Sequence, residues 1–596
     1  MKYKEIFFIV LLAVMTFAYT SFYAQFHIDP HHDGIILKPA IDVFYGKKLF
    51  VDSFTQYGAL TTLIHAFFFK LFGPTLIVQR LSAVVTYAGI SILLYLLSRR
   101  LLSPLFSAGV VLFWIATMYF PNQDLMVPLL AWSSVYSLFF QLATILLIDK
   151  FLQTKRCKFL SVAGASVALT FWCRQPVGIF LFLAISTFFV IRLLFLSKPE
   201  SMKGYFYFLM GSIVISVPFL LWLASYHGLH DWWQQSIILA FTFGKNLSGT
   251  FSLTPIYTAL LPSLSASKKN LFWNLTTFTT VFVFALESLL IFYRKSKSSY
   301  VNWFLFVFTL VGLASWMQFF PGNDQSHVFW AATPMIPIFF YVVSESKRFL
   351  KKYGSEELRI NEKAFSRLLG VVISIVVTGL AMLFLVTDIK SARYYLTRKF
   401  TIVQDPPVLR GMKTPQEEQI VLDRFTQLLN LYFSWYPDKT YISASPDALY
   451  TLMDPHYTSI HRSPVYWDWA MRDVFSDYLP ALHAYITLHR PLVVVRDPLE
   501  FDNYCSREIA IHYPVKTAMY QRDLFVRIPA EDLLQTKVVG TQVSLLALKE
   551  PLTIIVASKS ATLALNQKMQ VKLPISNEKY SIHFSSANFG NCDLSP

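Results

Sequence analysis

The chain has 596 residues, of which 54% are hydrophobic and only 15% are charged, and its net charge at pH 7 is +16. Soluble domains carry roughly 25% charged residues. The composition therefore excludes a row of water-soluble domains and indicates that much of the chain faces lipid. Four cysteines and 21 glycines without a repeat exclude disulfide-rich and collagen-like proteins, and the apolar content excludes a disordered one.

Eleven apolar stretches approach the length of about 20 residues that crosses a hydrocarbon core. The fifth is short, and a tight turn at residues 173–176 joins it to the sixth. No clear small-residue cleavage site follows the first stretch, which favours a retained helix over a signal peptide. We expect spans at 5–25, 75–97, 102–120, 126–148, 159–173, 176–196, 204–225, 271–293, 301–320, 327–344 and 367–387.

The Lys and Arg residues of the loops alternate between the two sides of the membrane. With a cytoplasmic N-terminus, the inner loops hold about twice as many of them as the outer loops, as the positive-inside rule requires. This pattern predicts a multi-pass membrane protein with a cytoplasmic N-terminus, and we expect it in a bacterial inner membrane. The positive charge is thus a topology signal, and no motif indicates a nucleic-acid partner.

Residues 389–596 have mixed polarity and no long apolar run. An odd number of spans places them on the outer, periplasmic side. Short strand-like segments alternate there with helical ones, which is typical of a small α/β or α+β domain. The clearest segments are the strands at 491–495, 541–548 and 552–558 and the helix at 477–489.

The predicted architecture is a polytopic α-helical membrane protein with about 11 transmembrane helices and a C-terminal extracytoplasmic domain. The transmembrane domain covers residues 1–388, and the extracytoplasmic domain covers 389–596. Two outer loops are long, at 26–74 and 226–270. An apolar helix at 58–72 in the first loop is expected to lie along the membrane interface.

Acidic residues and histidines collect in the outer loops, whereas the inner loops hold mostly Lys and Arg. This asymmetry indicates a site that faces outward. The polar residues of the outer loops are His27, Asp29, His31, His32, Asp33, Asp42, Asp52, Asp124, Arg174, Asp324 and His327.

Two sequence segments carry a family pattern. The first outer loop contains HIDPHHDG at 27–34 and DSFTQYG at 52–58, followed by an apolar helix that ends in Leu-Phe-Gly. A late span opens with FPGNDQSHVFWAATP at 320–334. Together they resemble the multi-pass C-type glycosyltransferases, such as the dolichyl-phosphate-mannose protein mannosyltransferases and aminoarabinose transferases of glycosyltransferase families 39 and 83. This chain has Asp33-Gly34 where those enzymes usually have Asp-Glu.

The resemblance implies transfer of a sugar from a polyprenyl-phosphate carrier to a lipid, glycan or protein acceptor, with inversion at the anomeric carbon. A carboxylate, normally ionised at neutral pH, accepts the acceptor's proton. Donor groups stabilise the charge that grows on the leaving phosphate. The implied catalytic residues are Asp33 and Asp52, and the implied substrate-binding residues are Asp124, Arg174, Asp324 and His327.

Several alternatives stay open. His27, His31 and His32 are either candidate ligands of a divalent metal or ordinary polar loop residues, and no other cofactor is predicted. Cys505 and Cys592 could form a disulfide in an oxidising compartment.

Two other functions compete with the glycosyltransferase. A cell-envelope polysaccharide polymerase or ligase would place its essential residues in the loop at 226–270. A transporter would carry ionisable residues at mid-membrane depth, where the spans hold almost none.

Overall fold

The computed structural model describes most of the chain. The described residues are 3–118, 129–196, 199–242, 268–294, 299–319, 325–345, 386, 389–390, 392–444, 447–459, 478–496, 515–518, 524–529, 532–539, 542–549, 552–556, 559–572, 582–586 and 590–594.

The described part up to residue 345 is helical. A π-helical turn at Gln234–Ile238 follows α10, and 3₁₀ turns at Ser315–Phe319 and Thr333–Met335 follow α12 and α13. The helices are α1 (Tyr3–Ala24), α2 (His32–Phe44), α3 (Ala59–Phe72), α4 (Leu76–Ser98), α5 (Pro104–Thr117), α6 (Ser133–Thr154), α7 (Lys158–Cys173), α8 (Gln175–Leu196), α9 (Pro199–Ala224), α10 (Leu229–Trp233), α11 (Lys268–Arg294), α12 (Tyr300–Ala314) and α13 (Gln325–Ala332).

Among the described residues, eight helical segments are long and apolar enough to cross a membrane. Each of them overlaps one of the predicted spans. The shorter apolar helices α5 and α7 match the predicted spans at 102–120 and 159–173. Only residue 386 of the predicted span at 367–387 is among the described residues, so the total of eleven stays a prediction.

One predicted span is displaced along the sequence. We predicted it at 126–148, but α6 begins after Trp132, whose backbone is extended, and continues to Thr154. Hydropathy misplaces the far end because Asp149 is fully buried in the helix and forms an ion pair with Arg100 at 2.9 Å. A paired carboxylate can lie inside a helical bundle where an isolated one cannot.

Helices α7 and α9 approach each other through glycines. A Cβ on Gly164 would lie 1.9 Å from the carbonyl oxygen of Phe208, and one on Gly211 would lie 1.8 Å from that of Ser161. Ser212 also donates a hydrogen bond to the Gly164 carbonyl at 3.0 Å. Small residues permit such close packing in a membrane, where helix association depends on contact rather than on the hydrophobic effect.

The chain divides into two compact units. The first contains Met1–Gln25, Gln56–Gly73 and Val78–Arg398. The second contains Phe26–Thr55, Pro74–Ile77 and Lys399–Pro596. The predicted outer loop at 26–74 is therefore shared, because its first half belongs to the same unit as the C-terminal residues.

The described residues of the second unit form three larger sheets and a two-stranded antiparallel pair of β1 and β2. The four-stranded sheet β3-β4-β6-β5 is mixed, since β3 pairs with β4 in parallel and the other pairs are antiparallel. The sheets β11-β8-β7 and β10-β9-β12-β13 are antiparallel. The strands are β1 (Phe400–Ile402), β2 (Lys413–Pro415), β3 (Tyr441–Ala444), β4 (Leu492–Arg496), β5 (Val515–Ala518), β6 (Leu524–Ile528), β7 (Leu534–Val539), β8 (Gln542–Ala547), β9 (Leu552–Val556), β10 (Lys559–Leu563), β11 (Lys568–Lys572), β12 (Ile582–Ser586) and β13 (Gly590–Leu594).

Besides α2, the described residues of this unit include the helices α14 (Gln416–Trp435) and α15 (Tyr478–His489). One face of α14 is buried, including Phe425 and Leu429, as expected of an amphipathic helix on a core. The predicted helix at 477–489 is α15, and the three predicted strands are β4, β8 and β9. The prediction of an α/β or α+β domain is confirmed.

Candidate functional site

Asp29 and Asp33 build the turn that leads into α2. Asp29 Oδ1 accepts the backbone N–H groups of His31 at 3.0 Å and His32 at 2.9 Å, which would otherwise lack a partner at the start of the helix. In return, Asp33 Oδ2 accepts the backbone N–H of Asp29 at 2.9 Å. Asp33 is 2% exposed, so the predicted base is a buried carboxylate held in one orientation.

Asp29 is a charged structural group of this turn. Its Oδ2 lies 2.7 Å from His32 Nδ1. Burial raises the pKa of the Asp29 carboxyl, but the hydrogen bonds and charge of His32, together with the charge of His31, outweigh burial and hold the pKa well below its ordinary value. Asp29 is thus ionised at neutral pH and serves to cap the turn. Sequence reasoning missed this role, although Asp followed by Pro is a known signal for a helix start.

The structure explains why glycine follows Asp33. A Cβ on Gly34 would lie 2.1 Å from the backbone nitrogen of Leu449 and 2.7 Å from the carbonyl carbon of Ala448. The same backbone nitrogen donates to the Pro30 carbonyl at 3.1 Å. Because backbone atoms cannot move aside cheaply, the glutamate expected from the family pattern does not fit here.

Asp42 is the centre of a buried charge cluster. Its two oxygens each lie 2.6 Å from Lys38 Nζ. Ser53 donates to Oδ2 at 2.8 Å, and Lys47 lies 3.0 Å from Oδ1. Burial lowers the pKa of Lys38, although the Asp42 charge opposes that change. The cluster joins α2 to the following turn, so Asp42 has a structural role in this part of the chain.

Asp52 lies at the surface of that turn. It is exposed, and its carboxylate accepts the backbone N–H of Lys48 at 2.9 Å, as turn-capping aspartates do. Its predicted catalytic role stays a prediction.

The three histidines do not form a common ligand set. His27 Nδ1 faces Glu418 at 3.2 Å, whereas His32 is paired with Asp29. His31 contacts the His32 ring edge-on at 4.8 Å between centroids. Within the described parts of the chain, no group of three or more His, Cys, Asp or Glu side chains could hold a metal ion. His27, His31 and His32 therefore do not converge on one metal position, and a divalent metal stays a prediction.

Arg174 and His327 both lie beside the first turn of α6. The Arg174 guanidinium is 5% exposed and donates to Ser133 Oγ at 3.5 Å and to the Gln318 carbonyl at 3.3 Å. His327 packs edge-on against Trp132, with 5.9 Å between ring centroids. The structure therefore brings together the two residues predicted for the phosphate side.

The site residues predicted from the sequence are divided between the two units. Asp33 and Asp52 belong to the second unit, and Arg174 and His327 belong to the first. Asp124, Asp324 and Cys505 lie outside the described residues. Sequence reasoning missed Ser133 and Gln318, since a serine and a glutamine at the ends of apolar segments carry no motif.

Comparison with known proteins gives a likeness in structure alone. No family model and no curated protein matches the chain. The apo oligosaccharyltransferase of Archaeoglobus fulgidus matches with a TM-score of 0.51 and 11% identity, over 100% of this chain and 97% of that chain. The archaeal oligosaccharyltransferase AglB from Archaeoglobus fulgidus, with an inhibitory peptide and a dolichol-phosphate, matches with a TM-score of 0.49 and 12% identity, over 98% of this chain and 96% of that chain.

A bacterial structure matches at a similar level. Apo ArnT of Cupriavidus metallidurans gives a TM-score of 0.49 and 10% identity, over 88% of this chain and 97% of that chain. At such low identity a likeness concerns the fold alone, and of these three structures the apo archaeal enzyme has a TM-score above 0.5. The chain has the fold of a polytopic C-type glycosyltransferase with a C-terminal soluble domain, which confirms the fold expected from the sequence.

Proposed function

We propose that the protein is a membrane glycosyltransferase that moves a sugar from a polyprenyl-phosphate carrier to a lipid, glycan or protein acceptor. The observation that carries the proposal is the buried Asp33, held by the Asp29 N–H on the fold of an oligosaccharyltransferase. The order of residues in the first outer loop supports the same donor class.

In the proposed reaction, Asp33 acts as general base. Its carboxylate accepts the proton of the acceptor's hydroxyl or amine while that oxygen or nitrogen attacks the anomeric carbon. The bond from the anomeric carbon to the phosphate oxygen breaks, and its electron pair leaves with the polyprenyl phosphate. A single displacement of this kind inverts the anomeric centre. A positioned base of this kind contributes roughly 10²–10⁴-fold to the rate.

Arg174 and His327 are proposed to stabilise the leaving phosphate. A guanidinium remains protonated in proteins and can present two N–H groups to phosphate oxygens. Fixed donors of this kind act on charge that develops in the transition state without having to reorganise. The contacts of Arg174 with Ser133 and Gln318 hold the guanidinium at the start of α6 for this task.

The rest of the proposal follows the sequence pattern. Asp52 supports catalysis, Asp124 contributes to substrate binding, and Asp324 orients His327. The N-terminus is cytoplasmic and the C-terminal domain periplasmic, in a bacterial inner membrane.

A transfer assay tests this function. Membranes that contain the wild type, Asp33→Asn or Asp438→Asn are incubated with radiolabelled polyprenyl-phosphate sugars, and label in the acceptor fraction is measured. Asp438 is an exposed aspartate of the second unit, and Asp438→Asn serves as the matched control. We expect transfer by the wild type and by Asp438→Asn, and a loss of roughly 10²–10⁴-fold in Asp33→Asn. Undiminished transfer by Asp33→Asn would overturn the assignment of the base.

A further inference from the structure

The start of α3 rests directly on the end of α7. The Gly58 N–H donates to the Cys173 carbonyl at 3.1 Å. A Cβ on Gly58 would lie 1.9 Å from the carbonyl oxygen of Trp172 and 2.3 Å from its carbonyl carbon. Both are backbone atoms, so only glycine permits this approach. The glycine of the Tyr-Gly pair in the first outer loop is therefore required for steric reasons, which the sequence alone does not reveal.

A second donor from α3 reaches the same carbonyl. Thr61 is 1% exposed, and its Oγ1 donates to the Cys173 carbonyl at 3.3 Å. The last carbonyls of a helix have no partner within it, and here the first turn of α3 supplies one. We call Gly58 and Thr61, together with the backbone carbonyls of Trp172 and Cys173 that they contact, the α7 seat.

The α7 seat is closed on its other sides. The Trp172 ring is 1% exposed, stacks on Phe219 at 4.6 Å and packs against Trp232 at 5.4 Å between centroids. Further along α3, a hydrogen bond of 2.7 Å joins His65 Nε2 to Tyr136 Oη on α6. Neither α3 nor the end of α7 can shift without disturbing buried contacts.

Arg174 is the residue that follows the α7 seat. Its backbone is extended, with φ −147° and ψ 102°, between α7 and α8. Its own N–H donates to the Thr170 carbonyl at 2.8 Å, and its carbonyl accepts the Gly178 N–H at 3.0 Å. The position of its Cα is thus fixed by the peptide on which Gly58 and Thr61 rest.

We propose that Gly58 and Thr61 are positioning residues for Arg174. By fixing the backbone of Arg174, they determine where its guanidinium lies when it contacts the phosphate of the lipid carrier. The role given to Arg174 in this inference rests on the proposed function, whereas the contacts of the α7 seat do not depend on it. A displacement of about 1 Å at a reacting or binding group can cost on the order of 10²-fold, so a small shift of this seat has a measurable effect.

Two variants perturb the α7 seat, and each has a matched control. Gly58→Ala forces the two backbones apart. Gly109→Ala introduces the same methyl group in α5, where nothing lies within 4 Å of the new Cβ. Thr61→Val removes the hydroxyl donor with little change in shape, and Thr61→Ser keeps it.

The first readout is labelling of Cys173, a free and buried cysteine, by a maleimide in the full-length protein in detergent, quantified by mass spectrometry. The second is the affinity for decaprenyl phosphate. We expect faster labelling and binding weakened on the order of tenfold or more in Gly58→Ala and Thr61→Val. Gly109→Ala and Thr61→Ser should behave like the wild type.

A double-mutant cycle distinguishes positioning from general damage. If the seat acts through Arg174, Gly58→Ala should weaken binding in the wild-type background and have little further effect in Arg174→Ala. An equal loss in both backgrounds, or unchanged binding in Gly58→Ala and Thr61→Val, would overturn the inference. A wild-type protein that binds decaprenyl phosphate but transfers no sugar would instead contradict the proposed function.

Discussion

Replacing Asp42 by alanine should destabilise the second unit strongly. The side chains of Lys38 and Asp42 are 6% and 7% exposed, and Asp42 also accepts a hydrogen bond from the buried Ser53. In Asp42→Ala the Lys38 ammonium stays buried without the carboxylate that compensates its charge. The structure thus predicts that Asp42, despite its place among the outer-loop acids, holds the fold rather than the substrate.

The size of the effect follows from these contacts. Removing one partner of a buried ion pair costs about 3–5 kcal/mol, and the lost hydroxyl bond adds about 0.5–1.5 kcal/mol. Lys47 contributes little, because its side chain is 46% exposed and can turn to solvent. At about 2–4 °C per kcal/mol, the midpoint of thermal unfolding should fall by roughly 7–26 °C.

The assay is heating of the full-length protein in detergent, followed by measurement of the fraction that remains folded and monodisperse. The double variant Lys38→Met with Asp42→Leu removes both charges and should recover most of the loss, since apolar replacement of a buried pair is often neutral. A shift below about 2 °C in Asp42→Ala would refute the reasoning, as would a double variant that is no more stable than Asp42→Ala.

Three further predictions concern other groups. Gly34→Ala should destabilise the second unit by about 1–3 kcal/mol through its clash with the Leu449 backbone, visible as faster proteolysis between residues 26 and 55; unchanged proteolysis would contradict this. Asp29→Asn should lower stability by about 1 kcal/mol at neutral pH, because hydrogen bonds to a charged acceptor contribute about 1.5–3 kcal/mol and those to a neutral one about 0.5–1.5 kcal/mol. The folded-state pKa of Asp29 lies below its ordinary value of 3.8. The ionised carboxylate therefore stabilises the fold above about pH 4, and this stabilisation is lost progressively as the pH falls further. Melting curves of the two proteins should converge in acid. Arg174→Lys keeps the charge but loses the planar fork, and titration with decaprenyl phosphate should show weaker binding than the wild type and tighter binding than Arg174→Ala; equal affinities would count against phosphate contact.

Local sequence patterns predicted the elements of this fold well. Apolar runs long enough to span a membrane identified α4 and α8, and strand-like segments identified β4 and β9, because length and hydropathy determine such elements directly. The pattern failed at α6, where the buried Asp149 is paired with Arg100 and the helix continues past its apolar stretch.

The candidate site was harder to predict, because its contacts join residues that are distant in sequence. Leu449 donates to the Pro30 carbonyl, and this approach explains Gly34. Gly58 packs on the backbone of Trp172. Neither contact leaves a periodicity or a charge pattern, so the sequence identifies the glycines without the reason for them.

The most direct test of the central claim is the release of polyprenyl phosphate by the purified protein. Polyprenyl-phosphate sugars are supplied with and without acceptor, and the free lipid phosphate and the glycosylated acceptor are quantified together. The wild type should form equal amounts of both products, and release of polyprenyl phosphate should depend on the acceptor. Asp33→Asn should react roughly 10²–10⁴-fold more slowly at an unchanged melting temperature. Equal rates in the wild type and Asp33→Asn, or glycosylated acceptor formed without release of polyprenyl phosphate, would contradict the central claim.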